Sequence, residues 1–549
     1  MTEPQFSARP LAFVALALLL PVFAVAPLLY PGYFEAHSGY GPLWNLQQWR
    51  AAPFDVTWLP AVATHFDPLR SDGLLPYYLA RWLPLSPVVA VKLVMGGAWL
   101  AGSLGLFLWL RSWLGDAGAL VSALVYTYLP FQIAAVYVRG AWGEVLFWGV
   151  LPWLILTATY LVTSPRLIFL LPAALFWLLG GLSQLGLTLW ALLFVAALLL
   201  IVHFRQSLWP LLAAGLGTGG ALVFYRAIGA FVDAPPTPVA FDRHFLYPFQ
   251  LFSAMWDFGP SRPGWNDGLS LQLGLAPLGL AILTVYLWTR SQPDQSPLTT
   301  RLDRRLLFFG GAVLALAWLM LGGVGWLWAI PGLPDTLTYP WQLLGLAGLS
   351  LAVLAGAAVW LEPTLTSRPL FSAVILFILL SSYPYLEPRF SQPNPAHLTG
   401  PAALLGDNRL ALLETDFSVE ISGSTAGMQR GSVEIPLAVY GPLTPGADLH
   451  LNVHWQPLTA FESSYKIFVH LVDGAGKVIT QFDGYPQDGD YPTLRWNPGE
   501  IITDSYLLTL PANLPPGPYR VYLGLYNEAD LVRLPVSGDD EGRVILTVQ

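Results

Sequence analysis

The sequence predicts a polytopic α-helical membrane protein followed by a C-terminal all-β sandwich, and three observations predict it. Apolar stretches close to bilayer-crossing length fill residues 10 to about 385. The composition is 55% hydrophobic, 14% aromatic and only 11% charged, more apolar surface than a soluble globule packs inside. Beyond residue 385 the long apolar runs give way to short alternating ones, separated by Gly, Pro and Asp turns.

A spanning helix needs about 20 mainly apolar residues. Eleven segments meet that need, near residues 10–29, 87–110, 117–137, 145–163, 167–183, 186–204, 207–225, 272–289, 306–322, 340–361 and 369–385. Arg111, Arg166, Arg205, Arg290 with Arg301, Arg304 and Arg305, and Arg368 all fall in alternate short loops, which the positive-inside rule places in the cytoplasm. The long connections 30–86, 226–271 and 323–339 and the C-terminal tail then lie outside, with Met1 inside. The first segment reads as a signal anchor. Ala24-Val25-Ala26 resembles a cleavage site, but Pro27 follows it and the apolar run continues to Tyr30. Lys92, early in the second span, can snorkel to the headgroups.

The helical part, 1–385, is followed by a Pro/Asn-rich linker at 386–410 and a β-sandwich at 411–549. Strands are expected at 417–422, 432–440, 448–455, 465–472, 477–482, 501–510, 519–526 and 543–548, with turns such as Asp473-Gly474-Ala475-Gly476 between them. Charge divides along the same line: 19 acids stand against 9 bases after residue 384, and 15 against 17 before it. An acidic tail and a near-neutral membrane part argue against a nucleic-acid partner. The chain has no Cys, which excludes disulfides, thiolate catalysis and Cys-ligated zinc.

Function is sought in the long outer loops, because polar connections on a rigid scaffold carry sites. The loop 30–86 holds Glu35, His37, Asp55, His65, Asp67, Arg70, Asp72 and Arg81 among many aromatics. Such carboxylates and histidines can supply a general base or hold a divalent cation such as Mg or Mn, or can be solvated loop charges. The loop 226–271 mixes Asp242, Arg243, His244, Trp256, Asp257 and Trp265. Aromatic and acidic groups of this kind bind sugars, and they also populate any membrane interface. Arg139 and Glu144, five apart, form either a phosphate contact with its orienting partner or an ion pair at a helix start.

Several short stretches carry a resemblance. His37-Ser38-Gly39-Tyr40-Gly41-Pro42-Leu43-Trp44-Asn45-Leu46, Trp58-Leu59-Pro60 and Leu75-Pro76-Tyr77-Tyr78-Leu79-Ala80 lie in the first loop. Tyr137 to Glu144, Leu269 to Gly274 and Tyr339-Pro340-Trp341-Gln342 follow. Together they resemble membrane glycosyltransferases of the GT-C class, and within it the bacterial membrane family labelled 6-pyruvoyl-tetrahydropterin synthase related, a label that implies no pterin chemistry here. The resemblance implies transfer of a sugar from a polyprenyl-phosphate donor to a glycan or protein acceptor on the outer face of the plasma membrane. The family's aspartate directly after the loop His is Ser38 here, so in this reading the base moves to a neighbour, Glu35 first with Asp67 and Asp72 behind it, and His37, Arg139 and Arg243 face the donor phosphate. Glu144 then orients Arg139, and Asp242, Trp256, Asp257 and Trp265 hold the acceptor. Deprotonating a hydroxyl while an anionic phosphate departs asks for such a carboxylate and such cations.

The chain departs from the family's pattern where Ser38, Pro42, Gln184 and Gln342 replace charged or proton-accepting residues. A degenerate relative that binds lipid-linked glycan or scaffolds envelope assembly therefore stands beside the transferase reading, and a transporter behind both. In the tail, Phe468-Val469-His470-Leu471, Gln481-Phe482-Asp483-Gly484, Tyr491-Pro492-Thr493-Leu494-Arg495-Trp496 and Gly524-Leu525-Tyr526 resemble a β-sandwich appended to such proteins. Trp455, Trp496, Tyr485 and Tyr491 form either a glycan platform or core aromatics, and Asp483, Asp488 and Asp490 either a calcium site or a solvated turn.

Overall fold

A computed structural model describes residues 10–34, 41–60, 66–231, 241, 244–258, 261, 269–290, 297–322, 324–391, 428–434, 445–446, 448–457, 464–489, 491–496, 502–514, 517–534 and 541–548. The chain divides into two compact units, a helical one of residues 1–38 and 45–393, and a second of residues 394–549 that also takes in 39–44, where the third helix of the chain begins.

The helical unit runs α1 (Pro10–Leu19), α2 (Val22–Val25), α3 (Gly41–Ala51), α4 (Leu75–Arg81), α5 (Pro87–Thr127), α6 (Pro130–Tyr137), α7 (Trp142–Thr163) and α8 (Leu167–Ser183). It continues with α9 (Leu185–His203), α10 (Leu208–Ala227), α11 (Leu275–Arg290), α12 (Pro297–Met320), α13 (Gly325–Trp328), α14 (Leu344–Leu361) and α15 (Arg368–Ser382). Among the described residues seven helical segments are long and apolar enough to cross a membrane, and α8 and α11 are shorter apolar helices. A short ladder joins β1 (Tyr33–Phe34) to β2 (Phe390–Ser391).

The second and third expected spans share α5. A straight 41-residue helix would reach roughly 60 Å, about twice the hydrocarbon core. Gly115, at φ +70°, breaks it, and the two arms fold back on each other: Trp99 Nε1 donates to the Thr127 carbonyl at 3.1 Å. Arg111 pairs with Asp116 at 3.1 Å across this turn. The third span ends at Thr127 rather than near 137, because Pro130 has no N–H to continue the ladder and holds Leu129 extended. The chain restarts there as α6. At the centre stands α14, whose residues from Leu344 to Val359 are all buried, whereas α15 packs only a narrow stripe.

Inter-loop hydrogen bonds gather one set of helix ends. Gly73 N–H donates to Ser183 O at 2.8 Å, between α8 and α9. Leu74 N–H donates to the Tyr225 hydroxyl near the end of α10 at 3.2 Å. Gln184 Nε2 and Thr338 Oγ1 both donate to Arg70 O, at 3.2 and 3.3 Å. The first long loop is thus laced to the α8–α9 joint, the end of α10 and the approach to α14.

In the second unit β3 (Met428–Glu434), β4 (Asp448–Pro457) and β7 (Ile502–Thr509) form one antiparallel sheet in the order β3-β4-β7. A second sheet takes β6 (Val478–Gly484), β5 (Tyr465–Val472), β8 (Tyr519–Asn527) and β9 (Val544–Val548) in the order β6-β5-β8-β9. Alternation sends Leu449, Leu451 and Val453 of β4 into one core with Ile467, Val469 and Leu471 of β5 and Val521, Leu523 and Leu525 of β8. Trp455 and Trp496 lie in that core with Tyr491 packed against it, so these three rings belong to the interior and not to a surface platform. The expected strand 417–422 and the acids Asp488 and Asp490 fall outside what is described, as residues or as side chains. Asp483 Oδ2 accepts from His470 Nε2 at 3.0 Å.

Candidate functional site

Where the first long loop meets the starts of α7 and α14, a polar cluster is enclosed by aromatic rings. Arg139 follows α6 and grips Glu144, in the first turn of α7, through two parallel bonds of 2.6 and 2.7 Å. Fork-to-fork geometry of this kind is the strongest side-chain ion pair available. Glu144 is buried, and its Oε1 also accepts from Gln342 Nε2. Gln342 Oε1 in turn accepts from the Thr338 and Tyr339 N–H groups at 2.9 and 3.0 Å, which caps the turn leading into α14. Thus the Gln342 amide is the third member of the Arg139–Glu144 network.

Asp72 comes to the same place from the first loop. Its Oδ1 accepts from Glu144 N–H at 3.3 Å, at the N-terminus of α7, where the helix dipole favours a negative group. Gly143 makes this seat possible, since a Cβ there would lie 2.6 Å from Asp72 Oδ1. Asp72 is enclosed by protein yet keeps an accessible edge. Burial, then the neighbouring Glu144 carboxylate, pushes its carboxyl up to about 7, and Arg139 offsets only part of this. Burial also opposes the charge on Arg139, but Glu144 and Asp72 more than compensate and hold the guanidinium above its ordinary value.

Aromatic rings fix the cluster's far side. Arg139 lies over the Trp341 ring at 4.7 Å, and Tyr339 stacks on Trp341 at 4.7 Å. Trp341 Nε1 donates to Ser261 Oγ at 3.0 Å, and the same hydroxyl stands 3.0 Å from His244 Nδ1. His244 also meets the Tyr339 ring edge-on at 4.9 Å. His244 and Ser261 of the loop 226–271 are thereby tied to the cluster. Tyr77, T-shaped to Trp142 at 4.5 Å, lines it from α4.

Of the residues singled out in the sequence, Asp72, Arg139 and Glu144 come together here. Asp67 does not join them. Its Oδ1 accepts from Leu69 N–H at 2.9 Å and its other oxygen stands 3.9 Å from Arg70, which reaches Asp335 at 2.5 Å. That is a turn-holding role. Trp256 stacks on Tyr385 at 4.6 Å, and exposed Asp257 accepts from Phe258 N–H at 2.7 Å. Glu35, His37, Asp242, Arg243 and Trp265 lie outside the described residues. Sequence reasoning missed Tyr339, Trp341, Gln342, His244 and Ser261 as one group. The run Tyr339-Pro340-Trp341-Gln342 was the available signal, but nothing in it says that its side chains face residue 144.

Among the described residues no group of three or more His, Asp or Glu is placed to hold a metal ion. Glu144 is already closed by Arg139 and Gln342, so Mg or Mn would find Asp72 alone as a ready carboxylate in this cluster, and no step is derived through a metal. A scan of the sequence against models of protein families gives no match, and a search of curated proteins gives none either.

Proposed function

We propose that the protein is a membrane glycosyltransferase-like enzyme of GT-C architecture, with eleven spans. It transfers a sugar from a polyprenyl-phosphate donor to a glycan or protein acceptor on the extracytoplasmic face of the plasma membrane. The observation that carries the reading is the joining of separate sequence segments at Glu144, which pairs with Arg139, accepts from Gln342 of the Tyr339–Gln342 run and donates its N–H to Asp72 of the first loop. A largely enclosed carboxylate with an accessible edge and a pKa near neutrality is suited to take a proton from an acceptor hydroxyl. Arg139, held by Glu144 and Trp341, supplies fixed positive charge beside it. In this reading Asp72 takes the role of base that sequence alone gave first to Glu35.

A second reading, a non-catalytic relative that binds lipid-linked glycan, draws support from the closure of Arg139 by Glu144 and Gln342. Transfer from radiolabelled polyprenyl-phosphate sugars by purified protein separates the two. The first reading expects turnover by wild type, a loss of at least about 100-fold in Asp72→Asn, and persistence in Glu35→Gln. Absence of turnover with every donor overturns it.

A further inference from the structure

The first outer loop carries a surface that the site does not use. Phe54, Val56, Leu79 and Trp82 are 50, 48, 45 and 69% exposed. The Phe54 ring lies 5.6 Å from Trp82 and 6.4 Å from Tyr78, the Tyr78 hydroxyl donates to Val56 O at 3.0 Å, and Leu79 follows Tyr78 in α4. A patch of this kind on a folded surface marks a partner. It continues into the exposed Val89 and Leu93 on the opening turns of α5, a span whose outward face meets lipid hydrocarbon.

A second feature points to the same partner. Five carbonyls, at the end of α3 and from the end of α4 onward, are taken by the side chains of two arginines. Arg81 Nη1 donates to Trp49 O and its Nη2 to Ala52 O at 2.9 Å. Arg50 donates to Ala80 O, to Leu83 O at 2.9 Å and to Leu85 O at 2.6 Å. Internal satisfaction of carbonyls is required where water is scarce. The Arg81 guanidinium also lies over Trp49 at 4.7 Å, Phe54 at 5.7 Å and Trp82 at 6.0 Å, with an apolar stem among rings and a charge at their edge. Tryptophan with arginine is the pairing of the headgroup layer. Asp55 is the acid beside the patch, and it turns back to accept from Thr57 N–H at 2.8 Å.

We infer that Phe54, Val56, Leu79 and Trp82 form an interfacial foot, buried in the bilayer at the boundary of headgroups and acyl chains, at the Pro87 end of α5. Because Asp72 lies just before α4, the foot holds the candidate site at headgroup level, where a substrate carried on a lipid presents its polar end. The foot itself does not depend on the transfer reading, and its test uses no turnover.

The chain has no cysteine, so each introduced one is unique. Nitroxide labels at Trp82→Cys and Leu79→Cys, in full-length protein in phosphatidylcholine/phosphatidylglycerol vesicles, are compared by power saturation with oxygen and with a water-soluble nickel chelate. Leu193→Cys on α9 serves as the hydrocarbon reference and Val478→Cys on β6 as the aqueous one. Labels at 79 and 82 are expected to favour oxygen several-fold over the chelate, in the direction of the Leu193 reference. Chelate accessibility equal to that of the Val478 reference at either position overturns the inference. Should Trp82→Cys fail to fold, the label at 79 decides.

Discussion

Asp72 and the Arg139–Glu144 pair set the behaviour of the site through single groups, and each yields a measurement. The fold favours the protonated form of Asp72, because its carboxyl is raised from 3.8 to about 7. Its stabilising contribution is therefore complete below about pH 4 and is lost as the pH rises through about 7. Thermal unfolding in detergent should accordingly lose stability over that interval in wild type, and the slope should flatten in Asp72→Asn. Transfer that needs the carboxylate should rise with pH across the same range. For the pair, Arg139→Met leaves Glu144 buried without its cation. Loss of one partner of a buried ion pair is expected to destabilise by about 3–5 kcal/mol, read as a lowered unfolding temperature that Arg139→Met with Glu144→Met partly restores.

Elements were the part of the protein most legible in its residues. Apolar length marked the helices, and Pro and Gly marked their ends: Gly115 reverses α5, and Pro130 stops the third span ten residues earlier than apolar length alone suggests. How closely elements approach was not legible, since a glycine in a helix has the same letter whether it faces lipid or another backbone. A Cβ on Gly186, in α9, would lie 1.8 Å from Thr336 O, whereas one on Gly215, in α10, meets nothing within 4 Å. Gly186→Ala should therefore destabilise by about 1–3 kcal/mol or more, as overpacking does. Gly215→Ala should be neutral or stabilising by up to about 1 kcal/mol through helix propensity. Equal unfolding temperatures for the two variants would contradict this account of the packing. In the second unit the period-two pattern placed β5, β7 and β8 to within a residue or so, because a buried sheet face enforces its register.

At the scale of the molecule, the arginine-bearing turns and the long loops should sit on opposite sides of the membrane. Cysteines at Val478, exposed on β6, and at Ser367, exposed beside Arg368, test this against a background free of thiols. A membrane-impermeant maleimide should label Val478→Cys in intact cells and Ser367→Cys only after permeabilisation. The reverse pattern would remove the proposed site from the outer face.

Apolar length, the placement of arginine and the change from long runs to alternation determined by themselves that this chain is a helical membrane part with a β-rich tail, because burial in lipid or in a sandwich selects residue type locally. The candidate site was legible only as separate fragments. Asp72, Glu144 and Gln342 are far apart in sequence, and the hydrogen bonds that join them depend on how α7 and α14 meet the first loop. Only the tertiary structure decided that Gln342 completes the Arg139–Glu144 pair, that Asp67 holds a turn while Asp72 faces the cluster, and that Trp455 and Trp496 are interior. A side chain's neighbours are set by packing among distant segments, and no local pattern encodes them.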